Sequence, residues 1–100
     1  MFDKEGFLLD LNNWSNSIAK KIANAEGIIL TEQHWELIFL ARDYHNTFDI
    51  SPEMRPFIKF IKKNLEEEKG NSVYLLRLFP ASPTKLISKI AGLPKPPNCI

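Results

Sequence analysis

Thr31-Glu32-Gln33-His34-Trp35-Glu36-Leu37-Ile38-Phe39-Leu40-Ala41-Arg42-Asp43-Tyr44 is the stretch on which the fold turns. Trp35, Ile38 and Phe39 form one apolar stripe at helical spacing, and Leu37, Leu40, Ala41 and Tyr44 widen it until little polar surface is left. A helix apolar over most of its girth has to be enclosed by others. Thr31 is therefore read as the N-cap of a central, buried helix.

Working outward, Asn13 is the expected N-cap of an amphipathic helix that carries Trp14, Ile18, Ile22 and Ala25 on one face, with Gly27 just past its end. Downstream, Ser51-Pro52-Glu53 reads as N-cap, first-turn proline and first-turn acid. Met54, Phe57, Ile58, Ile61 and Leu65 then keep helical register as far as Gly70, and Pro56 is expected to distort the start. Asn71 or Ser72 begins a short helix over 73–79 that Pro80 closes. Ser82-Pro83 begins the last helix, which ends at Gly92, with Leu86, Ile87 and Ile90 as its docking side and Lys85, Ser88 and Lys89 expected to face water. Beyond it, Leu93-Pro94-Lys95-Pro96-Pro97-Asn98-Cys99-Ile100 has three prolines and reads as an extended arm. Ahead of the first helix, Gly6-Phe7-Leu8-Leu9 suits one short strand with no hairpin mate after it.

The 100 residues are 44% apolar and 25% charged, which fits one globular domain and excludes multidomain enzymes, solenoids and collagen-like chains. No apolar run is long enough to span a bilayer. Acidic residues in Met1-Phe2-Asp3-Lys4-Glu5 stand where a signal peptide needs a basic start, and a single cysteine fits a reducing compartment, so a cytoplasmic location is expected. The net charge of +1 hides an asymmetry. Residues 1–70 carry nine basic and twelve acidic residues, whereas 71–100 carry Arg77, Lys85, Lys89 and Lys95 with no acid. On charge alone that end suits an anionic partner, nucleic acid or an acidic protein face, and equally a few solvated lysines.

His34 and His45 lie on one expected helix about 16 Å apart along its axis, too far to share a metal. No zinc spacing, phosphate loop or nucleophile elbow is present, so neither a metal nor a cofactor is expected. Trp14, Trp35, Phe39, Tyr44, Phe57 and Phe60 mostly follow helical periodicity and are assigned to the core rather than to base stacking. Cys99 stands apart as the penultimate residue of a proline-stiffened arm, with a reach of roughly 20 Å from Gly92. On the residues alone, a thiol that hands a group between proteins and an incidental tail thiol both fit. So do a helical module that binds nucleic acid through its basic end and an interaction domain without chemistry.

Gly70-Asn71-Ser72, Tyr74-Leu75, Arg77-Leu78-Phe79-Pro80, Lys85, Lys89-Ile90-Ala91-Gly92-Leu93-Pro94-Lys95-Pro96 and Cys99 together resemble the DsrC/TusE family of sulfur-carrier proteins. Glu26-Gly27-Ile28, His34-Trp35, Ala41-Arg42-Asp43-Tyr44 and Pro52-x-Met54-Arg55 are similar to that family in order and spacing. The resemblance implies a mostly α fold, a small orthogonal bundle of about five helices over residues 1–92. A short N-terminal strand or truncated hairpin would precede it, and a mobile arm over 93–100 would follow. It implies that Cys99 carries persulfide sulfur without a cofactor.

Within the family, the dissimilatory branch works with sulfite reductase and has a second arm cysteine where this chain has Ser88. The single-cysteine pattern is similar to the TusE branch, which takes sulfur from a TusBCD complex. That branch passes it to the thiouridylase MnmA, with tRNA bound, for 2-thiolation of the wobble uridine. In such a relay Lys85, Lys89 and Lys95 would favour the sulfur anion and meet acidic partner surfaces, or serve solubility alone, with Gly92, Pro94 and Pro96 shaping the arm. Arg77 and Tyr74 would anchor its base or serve the fold alone. Three departures stand out: the usual hairpin lacks its first strand, Ser82 stands where glycine is common, and Pro56 has no counterpart.

Overall fold

The computed structural model describes residues 1–96. Five α-helices, α1 (Asn16–Ala25), α2 (Glu32–Phe48), α3 (Met54–Asn64), α4 (Ser72–Leu78) and α5 (Pro83–Ile90), form a single bundle, with 3-10 turns at Leu11–Asn13 and Glu67–Lys69. Helix α5 packs on α1, α2 and α4, and α2 also packs on α3. Leu37, Ile38 and Ala41 of α2 are wholly enclosed together with Phe57, Ile61, Leu75, Phe79, Ile87 and Ile90. The central position expected for the 31–44 stretch is thus observed, except that Phe39 is 46% exposed.

Local signals set most helix ends. Thr31 and His34 form a reciprocal cap at the start of α2. Thr31 N–H donates to His34 Nδ1 (3.1 Å), which assigns the ring proton to Nε2, where it is donated to Leu78 O (2.8 Å). His34 is therefore a buried brace between α2 and the end of α4. Asn71 caps α4 by accepting from Tyr74 N–H at 2.8 Å. Gly27 and Gly92, both with φ +74°, close α1 and α5 with the paired backbone bonds of a Schellman turn.

Several boundaries move. The N-cap of α1 is Ser15, because Asn13 is taken into the preceding 3-10 turn. Helix α3 starts two residues later than the serine-proline signal indicates, with Glu53 as N-cap, and ends at Asn64 rather than Gly70 because Leu65 turns extended. Pro56 then falls in the first turn, where no intrahelical N–H bond is required, so the helix runs through it undistorted. Ala81, not Ser82, takes the left-handed conformation before α5, at φ 72°.

The strand expected without a mate has one on its N-terminal side. Phe2 and Leu8 form an isolated antiparallel bridge, with Asp3 N–H to Phe7 O at 2.8 Å and Leu9 N–H to Met1 O at 2.9 Å. This truncated hairpin puts Phe7 and Leu8 in buried positions. Ser88 is also corrected: it is fully buried on α5, not water-facing, and its hydroxyl has no hydrogen-bond partner among the described residues.

Candidate functional site: the root of the C-terminal arm

The last carbonyls of α5 lack intrahelical partners, as at any helix end, and here two side chains from elsewhere supply them. Trp14 Nε1–H donates to Ile90 O at 2.8 Å, and Arg42 Nη1 donates to Ala91 O. The Arg42 guanidinium also lies 4.2 Å from the Trp14 ring centroid, so each donor holds the other in place. Burial lowers the Arg42 pKa, yet guanidinium remains charged at any ordinary pH. Gly92 rests directly on the indole: a β-carbon there would sit 2.4 Å from Trp14 Cδ1.

Beyond Gly92 the chain stays on the body. Leu93 is buried, its N–H bonded to Ser88 O at 2.8 Å, and Pro96 is buried as well. Ser51, read from sequence as a helix cap, instead donates its hydroxyl to Pro94 O from a buried position. Lys95 pairs with Glu5 at 3.1 Å. The boundary expected after Gly92 therefore lies inside packed chain, and residues 93–96 form a seated root. Cys99 lies outside the described residues.

The expected arm lysines are brought together, but not as free cations. Lys85 and Lys95 share Glu5 Oε2, at 3.9 and 3.1 Å, and Lys89 pairs with Glu26 at 2.7 Å while its ammonium sits 5.8 Å from the centre of the Phe7 ring. They line a cleft of about 690 Å³ with Glu5, Glu26 and Ser82. Tyr74 and Arg77 do not join them: neither has a hydrogen bond or ion pair to residues 90–96 among the described residues. The Tyr74 hydroxyl is buried without a hydrogen-bond partner among the described residues, and burial raises its pKa, with Lys69 opposing the shift. Arg77 is exposed in the last turn of α4, where a cation suits the helix dipole. The residues that build the root, Trp14, Arg42, Ser51 and Glu5, carry no local sequence mark of that role, since their partners lie 43 to 90 residues away.

Among the described residues no set of His, Cys, Asp and Glu side chains is placed to hold a metal ion, and no helix is long and apolar enough to cross a membrane. What the site does is hold the chain leading to Cys99. That whole framework, from the N-terminal hairpin through the arm, falls within one family match: the family described as "DsrC like protein" covers residues 1–100. The chain belongs to the DsrC-like family.

It is 47% identical over 98 residues to the sulfurtransferase TusE of Pectobacterium atrosepticum, covering 98% of this chain and 90% of that one. With the sulfurtransferase TusE of Escherichia coli strain K12 the identity is 48% over the same shares. Among solved structures, the solution structure of Allochromatium vinosum DsrC has a TM-score of 0.89 at 42% identity, over 99% of this chain and 88% of that one. The oxidized DsrC of Archaeoglobus fulgidus, a γ-subunit of dissimilatory sulfite reductase, has a TM-score of 0.84 at 36% identity, over 100% and 91%. The DsrC-like chain is a sulfur carrier, a sulfurtransferase that acts within a sulfur relay.

Proposed function

We propose that Cys99 is the carrier atom of this relay, accepting persulfide sulfur from a TusBCD-like complex and passing it to an MnmA-like thiouridylase that holds tRNA, for 2-thiolation of the wobble uridine in the cytoplasm. The observation that supports this reading is the seated root, since a chain with one cysteine commits two part-buried donors and a steric glycine contact to holding the segment just before it. Cys99 is three residues past Pro96, so its Cα is at most about 10 Å from that anchor. Measured from Pro96 rather than Gly92, the reach available to the thiol is about half the roughly 20 Å expected from the sequence.

In the first step the Cys99 thiolate attacks the outer sulfur of a donor persulfide. A new S–S bond forms, the donor S–S bond breaks, and the donor leaves as a thiolate, giving Cys99-S-SH. In the second step an acceptor thiolate attacks that outer sulfur and Cys99 leaves as the thiolate. No net oxidation occurs in either step, so neither needs an added cofactor. Lys95 is the cation nearest Cys99 in sequence, and its pairing with Glu5 tempers how strongly it favours the thiolate. A sulfite reductase role like that of the dissimilatory branch finds less support, because the enclosed Ser88 offers no second thiol.

Intact mass after incubation with a cysteine desulfurase, cysteine and donor proteins tests the proposal. A reductant-sensitive gain of one sulfur atom, about 32 Da, is expected in the wild type and not in Cys99→Ser. A wild-type protein that gains nothing beside a competent donor refutes it.

A further inference from the structure

The sequence places surplus positive charge at the C-terminal end, but the fold engages three of its four cations. Lys85, Lys89 and Lys95 are engaged by Glu5 and Glu26. Arg55, Lys59, Lys62 and Lys63 of α3 are different: among the described residues none has an ion-pair partner. At 100° per residue these four fall on one face, opposite the enclosed Phe57 and Ile61, and Arg55, Lys59, Lys62 and Lys63 are all exposed. No acid interrupts Met54–Asn64; Asp49 and Glu53 precede the stripe and Glu66 follows it. Like charges four apart repel, so Arg55/Lys59 and Lys59/Lys63 weaken the isolated helix, and among the described residues no carboxylate pairs with them to offset this.

The stripe borders an aromatic cleft of about 400 Å³ lined by Tyr44, Phe48, Pro56, Lys59, Phe60 and Lys63. Phe48 is 51% exposed, with its ring 4.7 Å from Tyr44 and 5.9 Å from Phe60 between centroids. Two of the unpaired lysines thus stand at the mouth of an open aromatic site. We infer that this face of α3 binds a single-stranded RNA segment, with phosphates along Arg55, Lys59, Lys62 and Lys63 and a base against Phe48. An acidic protein would use the cations but has no use for an open ring beside them, whereas base stacking next to backbone phosphate needs both. Ser51, which holds Pro94 of the arm, precedes Arg55 by four residues, so RNA on α3 lies beside the arm's root. The choice of RNA rests on the relay reading above; the site itself does not.

The test is fluorescence anisotropy of the full-length protein with a labelled RNA anticodon stem-loop across a salt series, with folding checked by circular dichroism. Four phosphate contacts to single-stranded RNA give a slope of log K against log salt near −3. Lys59→Gln with Lys63→Gln lowers its magnitude by about 1.4. Phe48→Ala weakens binding about fivefold or more and leaves the slope in place. Lys85→Gln with Lys89→Gln changes neither. Absence of binding at low salt, or binding indifferent to the α3 substitutions or to Phe48→Ala, overturns the inference. Sulfur loading of Cys99, read by mass on the same samples, separates the two readings: normal loading without RNA binding overturns only the RNA face, and failed loading overturns the carrier.

Discussion

Gly92→Ala strikes the arm's root at its tightest point. Gly92 sits at φ +74°, which an L side chain adopts at a cost of about 1–2 kcal/mol. Its new methyl would lie 2.4 Å from Trp14 Cδ1 and 2.9 Å from Cγ, so the indole has to move. Movement breaks the Trp14 bond to Ile90 O, worth about 0.5–1.5 kcal/mol, and the contact with Arg42, worth about 0.5–1. Together these come to about 2–4.5 kcal/mol. Gly27→Ala is the internal control, since Gly27 has the same φ of +74° and nothing within 4 Å of the added carbon, so it pays the backbone cost alone.

For a domain of this size each kcal/mol moves Tm by about 4–8 °C, so Gly92→Ala should melt on the order of 4–20 °C below Gly27→Ala by circular dichroism or calorimetry. Trp14 fluorescence should shift in the first variant and not in the second. Equal losses of stability in the two variants would refute the account of Gly92 as a contact glycine, and with it the claim that Trp14 holds the arm's root.

Glu5→Gln releases Lys85 and Lys95 from their shared carboxylate; exposed pairs of this kind are worth at most about 1 kcal/mol, so Tm should hold while Cys99 alkylation at neutral pH speeds up at low salt and less at high salt. An unchanged alkylation rate would count against any electrostatic role of Lys95 at the thiol. Ser88→Ala removes a fully enclosed hydroxyl without a partner and should be neutral or stabilise by up to about 1 kcal/mol in urea unfolding; a clear loss would show an unseen bond. Burial raises the pKa of Tyr74 first, and of Tyr44 by burial and then Glu53, so folding favours their neutral forms: stability is full below the unfolded value near 10 and is lost as pH rises above it. Tyr74→Phe should flatten that alkaline loss, and a pH-stability curve with the same slope in the variant would contradict the shift.

Much of the architecture is legible along the chain because caps and helix stops act within a few residues. Thr31, Asn71, Gly27 and Gly92 do in the structure what their types and positions indicate. Three positions depart from what the local signals indicate, each for its own physical reason. Ser51 could cap a helix or bond Pro94 O; the tertiary partner takes its hydroxyl, and α3 starts two residues onward with Glu53 as N-cap. Ser88 is small enough to be enclosed on a face shared with lysines, which periodicity counts as polar. The hairpin mate of Leu8 lies before it, at Phe2, where a search after the strand does not look.

The sequence by itself determined five helices, a proline-rich end with one penultimate cysteine, and the family to which both belong, because helix signals are local and a motif survives being read as a string. Only the tertiary structure decided which charges are spent and which are free. Lys95 meets Glu5 across 90 residues and Arg42 meets Ala91 across 49, while four cations on α3 meet no carboxylate among the described residues. Electrostatic pairing depends on distance in space and falls off within about 10 Å in physiological salt, and chain order carries no record of that distance until the helices have packed.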